Sequence, residues 1–311
     1  MRIVLYAIIH GAVAVSMVAC VVRGLAYSLL PMHLRWELYP VPHEAPQRVR
    51  HGGSYFEEGE WWSKPPTVHR LGELRVMIPE MLFMRGLWEF NRSLWLRSFP
   101  FHFGLYLLLG TLGLVLLTGL LERFAPSLII GHPGTGLRWL YKTTGFVGLV
   151  LALFGALALL LRRLTTEDLR AYTTAADIFN LCAFTVTLGC LLGGLLLRGP
   201  DSPNAVGLVR AILTFDSGRE VPTLLVVGLT LSALLAAYIP FTHMIHFVAK
   251  YFTYHAIRWD DRPNQPGGSV ERKMAEYLTY RPTWAARHVG ADGSKTWADV
   301  AGSNPAGGEK K

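Results

Sequence analysis

His243 and His246 stand three residues apart in "IPFTHMIHFVAKYF" (239–252), at the close of a long apolar run, and His102 stands in "SFPFHFGLYLLLG" (98–110), near the start of another. Imidazole is the side chain most often used to ligate transition metals, and a bis-imidazole haem takes one ring on each face of the iron, each carried by a rigid element. On one continuous helix, residues three apart lie roughly 60° apart at about 100° per residue, so His243 and His246 are not trans ligands of one iron. The expectation is one ligand from this pair and one from His102, the remaining histidine acting as a hydrogen-bonding or propionate-side neighbour. Thiolate centres are poorly served. Cys20, Cys182 and Cys190 all lie in apolar runs, with no C-x-x-C-H for covalent haem attachment and no spacing suited to iron–sulfur or zinc.

The elements that must carry these histidines are long and apolar. Of 311 residues, 51% are hydrophobic and the mean hydropathy is +0.30, which favours a lipid-embedded chain over a water-facing one. Crossing a bilayer takes roughly 20 mainly apolar residues in a helix, because each backbone polar group must be satisfied within the segment. Segments 3–30, 99–121, 137–161, 175–197 and 221–249 meet that requirement. The expected fold is therefore all-α: an integral membrane protein with five transmembrane helices in a bundle. The loop 31–98, the Arg162–Arg163–Arg170 loop and the tail after residue 249 hold 22 of the 30 Lys and Arg residues, so these are read as cytoplasmic, with the N-terminus outside and the C-terminus cytoplasmic. "SMVAC", ending at Cys20, faintly resembles a lipoprotein cleavage site, but the apolar run continues past it and a retained helix is expected.

On this reading the chain divides into a first transmembrane helix (1–30), a cytoplasmic loop with interfacial helices (31–98), a four-helix core (99–250) and a cytoplasmic tail (251–311). The loop carries nine basic and eight acidic residues, and that balance argues against a nucleic-acid surface. Its later part, "LGELRVMIPEMLFMRGLWEFNRSLWLRSF", mixes Leu, Met and Trp with Arg and fits helices lying along the membrane interface, with Trp88 and Trp95 as anchors. Trp284, Tyr277, Tyr280 and Trp297 in the polar tail point to docking. By direction, the second and fifth spans run oppositely, which sets His102 and the 243/246 pair at matching depth on the cytoplasmic side.

"FPFHFG" (99–104), "LLLRRL" (159–164), "RAYTTAADI" (170–178) and "IPFTHMIH" (239–246) together resemble the gamma subunit of respiratory nitrate reductase, a five-helix cytochrome b that oxidises quinol and passes electrons to iron–sulfur partners. The resemblance implies that His102 and His246 are the axial ligands of a haem b near the cytoplasmic side, and that Lys142 lies beside a quinol pocket, although an interfacial lysine reaching for water is an equal reading. His243 falls where that family has arginine. The family's second haem implies histidines where this chain has Leu112 and Gly228, neither able to ligate iron. One haem is thus expected, with a two-haem alternative drawing on His10, His33, His132 and His243.

The long insertion from "MHLRWELYPVPHE" to "GGSYFEEGEWWSKP" looks like variants from sulfate-reducing bacteria. That likeness implies a cytoplasmic partner similar to the heterodisulfide reductase iron–sulfur subunit and a periplasmic multihaem cytochrome c. It places the chain in the bacterial inner membrane, as an electron-transfer subunit of anaerobic respiration using menaquinone or another quinone. Quinone chemistry moves protons as well as electrons, a task for which Lys142 or His10 is suited, while cations such as Arg23 or Arg97 could shift the haem potential. A haem-free membrane anchor and a small transporter are the competing classes. Against transport stand only five spans, no inverted-repeat halves and no pair of broken helices around a midplane site.

Overall fold

A run of apolar residues entering lipid can satisfy its own N–H and C=O groups only by coiling into a helix, and the long runs of this chain do so. The computed structural model describes residues 2–29, 59–60, 69–170, 172–199, 202–218, 221–258, 266–283 and 292–303. Among them the helices are α1 (Arg2–Leu29), α2 (Arg70–Phe83), α3 (Arg85–Phe90), α4 (Arg92–Phe124), α5 (His132–Thr165), α6 (Glu167–Arg170), α7 (Ala175–Leu196), α8 (Ala205–Leu213), α9 (Thr223–Tyr238), α10 (His246–Arg258), α11 (Ser269–Leu278) and α12 (Trp297–Gly302). No strand occurs among the described residues. Five segments are long and apolar enough to cross a membrane: Ile3–Leu29, Arg92–Phe124, His132–Thr165, Ala175–Leu196 and Thr223–Phe241. The chain is a multi-pass membrane protein.

Two compact units are present. The first comprises Met1–Ala19 with Ile78–Met244, and the second comprises Cys20–Met77 with Ile245–Lys311. In the first unit α4 lies along α5, α5 along α7, and α7 along α9, while α8 packs on α4. Two of these seams are held by glycine. A Cβ at Gly104 would stand 2.4 Å from the Ala152 nitrogen, and one at Gly155 would stand 2.4 Å from the Phe101 nitrogen, so α4 and α5 touch backbone to backbone. Gly194 meets the Leu225 nitrogen at 2.4 Å in the same sense, and Gly228 meets that of Leu191 at 2.8 Å, closing α7 on α9. Between helices in lipid, close approach of small residues replaces the hydrophobic drive that water supplies elsewhere. Phe101, Leu149, Ala152, Ala156, Phe184, Leu188 and Leu235 form the buried core where these helices meet.

The fifth span departs from the sequence reading. An unbroken helix over 221–249 is expected there, but α9 stops at Tyr238, and two 3-10 turns, Ile239–Phe241 and His243–Ile245, follow before α10 begins at His246. Pro240 has no N–H to give to the ladder and its ring crowds the preceding turn, while Thr242 is extended (φ −121°, ψ 176°). The roughly 60° relation between His243 and His246 assumed one regular helix and therefore does not hold. α8 is an addition: Asn204 caps it through Oδ1, which accepts the Gly207 N–H at 2.7 Å.

The "LGELRV…" stretch divides into α2, α3 and the first two turns of the spanning helix α4 itself. Asn91 breaks the chain and caps α4, its Oδ1 accepting the Leu94 N–H at 3.0 Å. Trp95 donates its indole N–H to the Phe83 carbonyl at 2.8 Å and stacks on Phe99 (4.5 Å, 8°), and Tyr106 donates to the Met81 carbonyl at 3.1 Å, so the end of α2 is tied to α4. Trp88 meets Trp95 edge-on at 4.7 Å. In the second unit, Tyr27 of α1 meets Phe252 of α10 at 6.2 Å.

Candidate functional site

His102 lies on α4 ten residues past its start, half-buried beside the core ring Phe101. Its Nδ1 is 2.8 Å from the Ser98 carbonyl, one turn back, with the Ser98 hydroxyl 3.3 Å away. A carbonyl can only accept, so Nδ1 carries a proton, and in the neutral ring the lone pair is then on Nε2. Metal-bound histidines are commonly held in this way, the second nitrogen donating to a backbone carbonyl that fixes tautomer and plane. Ser98 is itself buried, so the bond is sheltered from water.

At the same end of the first unit, three elements meet on one carboxylate. Asp177, in the first turn of α7, accepts hydrogen bonds from the Thr174 N–H (3.0 Å) and hydroxyl (2.9 Å), while the Thr174 oxygen accepts the Asp177 N–H. This capping box fixes where α7 begins. Arg163, in the last turn of α5, stands 3.5 Å from the same Asp177 oxygen, Oδ2, and reaches the Thr173 hydroxyl at 3.4 Å. His243 Nε2, on the turn following α9, is 4.0 Å from Asp177 Oδ1. His243 is 64% exposed and is brought to the carboxylate that Arg163 also faces.

One turn further along α7, Asn180 is buried, its Oδ1 accepting the Tyr238 hydroxyl at 3.0 Å. Its Nδ2 has no partner among the described residues. Tyr238 is braced by the edge of Phe179 at 5.7 Å.

The opposite end of the unit is organised differently. Glu122 of α4 pairs with Arg210 of α8 at 2.8 Å, and Tyr141 of α5 is 1% exposed among Val115 and Val206. Lys142 is exposed, its helical neighbour Tyr141 being the residue turned inward. His10 of α1 resembles His102 in its local bonding: Nδ1 is 2.7 Å from the carbonyl of Tyr6, one turn back, and the ring stacks on Phe215 at 4.7 Å. His132 is exposed at the first position of α5.

His246 is the exposed first residue of α10 and belongs to the second unit. His33 and Trp284 lie outside the described residues. Arg23 is exposed on α1, and Arg97 is turned back to the Ser93 hydroxyl at 2.7 Å. Leu112 is 48% exposed, and Gly228 is sealed against the Leu191 backbone, where even one added carbon would displace the neighbouring helix. An imidazole is therefore excluded from position 228 by packing as well as by residue type.

Asp177, Arg163, Asn180 and Tyr238 were not assigned chemistry by the sequence reading. Two signals were present: "TTAAD" has the T-x-x-D spacing of a capping box, and Asn180 is an isolated amide in an apolar run. Residues 87–260, more than half of the chain, match the family described as nitrate reductase gamma subunit. The comparison with curated proteins found no match.

Proposed function

We propose, from the premise that the chain belongs to the nitrate reductase gamma subunit family, that it is the electron-transferring cytochrome b subunit of a membrane redox complex and holds haem b through His102 and His246. The observation that carries the reading is the bonding of His102, whose Nδ1–H is spent on the Ser98 carbonyl so that Nε2 bears the lone pair an iron ligand needs. The pairing with His246 rests on the family resemblance. A haem bound there supplies reversible one-electron chemistry.

The chain's own residues hold and shield that position. The glycine seams keep α4 on α5 and α7 on α9, and the ring pair Phe101–Phe184 (5.0 Å, edge to face) fills the space between them. On the Lys and Arg distribution we place the N-terminus outside and the C-terminus in the cytoplasm, which puts His102 and the Asp177 cluster on the cytoplasmic side of the inner membrane. The α2–α3 segment then runs along the inner interface, where exposed Leu71, Phe83 and Phe90 meet lipid or an iron–sulfur partner of the heterodisulfide reductase kind. A membrane quinone, such as menaquinone, exchanges electrons at the outer end, where Lys142 matches the lysine beside the family's quinol pocket, and a periplasmic multihaem cytochrome c is the alternative partner there. One haem is the primary reading. A second would draw on His10, whose local bonding matches that of His102, with His132 as its partner at the outer end, or on His33 with His243 at the inner side.

The test is a dithionite-reduced minus oxidised spectrum of the purified protein with pyridine-haem quantification. About one non-covalent haem b per chain, lost in His102→Ala and in His246→Ala while the chain remains in the membrane, is the expected result. Full reduced spectra in both variants would overturn the ligand assignment.

A further inference from the structure

Asn180 is a polar side chain in an otherwise apolar part of the bundle. It is 5% exposed in a helix whose neighbouring positions are apolar, and it satisfies only half of its amide. The oxygen takes the Tyr238 hydroxyl at 3.0 Å, whereas Nδ2 is buried without a partner among the described residues. Leaving a buried donor unpaired costs about 1–3 kcal/mol, so an amide kept in such a place calls for an acceptor. The Tyr238 bond also orients the group. With its oxygen committed on one side, the amide presents its N–H pair elsewhere, and Phe179 behind Tyr238 stiffens the arrangement.

The place of Asn180 in the bundle says what that acceptor is. Asn180 precedes Phe184 by one helical turn on the same face of α7. Phe184 meets Phe101 edge to face at 5.0 Å, and the Phe101 ring is 5.2 Å from that of His102. Tyr238 packs against the same core cluster from α9. The unpaired amide is thus one turn from the layer that contains His102. The rim of a haem is hydrocarbon apart from its two propionate carboxylates, so a fixed N–H donor beside it finds a carboxylate oxygen or nothing. Asp177, one turn beyond, faces the Arg163 guanidinium at 3.5 Å, which offsets part of its charge.

We infer that Asn180 is a haem-binding residue whose Nδ2 donates to a propionate of the haem held by His102, and that Tyr238 is the positioning residue that holds the amide for it. The inference rests on the haem reading above. A donor on a propionate offsets part of its negative charge and so favours reduced iron. Removing the donor lowers the midpoint potential.

Redox titration of the purified holoprotein, followed at the reduced haem b band, tests this. Asn180→Leu, with the same heavy-atom count and branching but no donor, is expected to keep its haem and titrate at lower potential than the wild type. Tyr238→Phe shifts the same way by less, and the double variant shifts no further than Asn180→Leu alone, because the tyrosine acts through the amide. Ser232→Ala, which removes a hydroxyl bonded only to the Gly228 carbonyl of its own helix, leaves the potential unchanged. An unchanged potential in Asn180→Leu with full haem overturns the inference. If Asn180→Leu is folded but empty of haem, Asn180→Gln, which retains the donor, must restore binding, and failure to do so also overturns it. A wild-type protein without haem is a separate result: it sinks the haem reading before any variant is compared.

Discussion

His102 and Asp177 illustrate two different debts of a side chain to its backbone. The carbonyl that holds the His102 ring belongs to Ser98, so Ser98→Ala preserves that bond and removes only the hydroxyl at 3.3 Å. Haem content is therefore expected to stay near wild type in Ser98→Ala, in contrast to His102→Ala, and pyridine-haem assay separates the two. Asp177 depends on Thr174, whose side chain and N–H complete the box at the start of α7. Thr174→Ala is expected to destabilise the protein by about 1 kcal/mol, read as a lower midpoint in thermal or denaturant unfolding in detergent. Among these groups, His102 stood out in the sequence as an imidazole in an apolar run matched in depth by the histidines of the fifth span, whereas its bond to the Ser98 carbonyl did not. The role of Asn180 was not legible, since nothing in a single sequence shows that its partner satisfies one end of the amide and leaves the other.

The helices show where local pattern suffices and where it does not. Hydropathy locates each span but starts the second seven residues late, at 99 instead of Arg92, and Pro240 and Thr242 end the fifth one early, so the reading that ran it through to residue 249 gave the two histidines a relation they do not have. Glycine seams carry a sharper prediction. Gly155→Val places side-chain carbon on the Phe101 backbone, which a flexible neighbour cannot relieve, so a loss of about 1–3 kcal/mol is expected, with reduced haem content because Phe101 adjoins His102. Purification yield and pyridine-haem content of that variant are the measurements. In the tail, Thr296 caps α12 and hydrogen bonds from its hydroxyl and N–H hold the Asp299 carboxyl below the ordinary value of 3.8. A depressed carboxyl contributes stability above its unfolded value and loses it as pH falls through the folded one, so the α12 end should loosen only in acid, below about pH 4. A change in Trp297 environment is the signal, separated from the other tryptophans by comparison with Trp297→Phe. Stacking of Trp297 on Tyr277 at 6.3 Å makes it responsive.

For the molecule as a membrane protein, we propose that the five spans among the described residues leave the termini on opposite sides. With the cytoplasmic C-terminus inferred from Lys and Arg, a C-terminal reporter that functions only in the cytoplasm is expected to be active, and the same reporter at the N-terminus inactive. The opposite pattern would place His102 and the Asp177 cluster on the outer side and reverse the proposed direction of partner docking. Family membership covers residues 87–260, so the first helix and the tail draw their roles from this chain's own features.

What could be read from the chain in one dimension was whatever depends on composition along it: the number of spans, their approximate limits, the charge bias of the loops, and the histidines that lipid would otherwise exclude. Those follow from solvation, which acts residue by residue and sums along a helix. What required three dimensions was whatever depends on which faces meet. That Gly228 closes a seam, that His243 reaches the carboxylate shared with Arg163, and that Asn180 keeps one end of its amide unpaired among the described residues are consequences of helix rotation and register. Packing of whole helices sets both, through contacts between residues far apart in sequence.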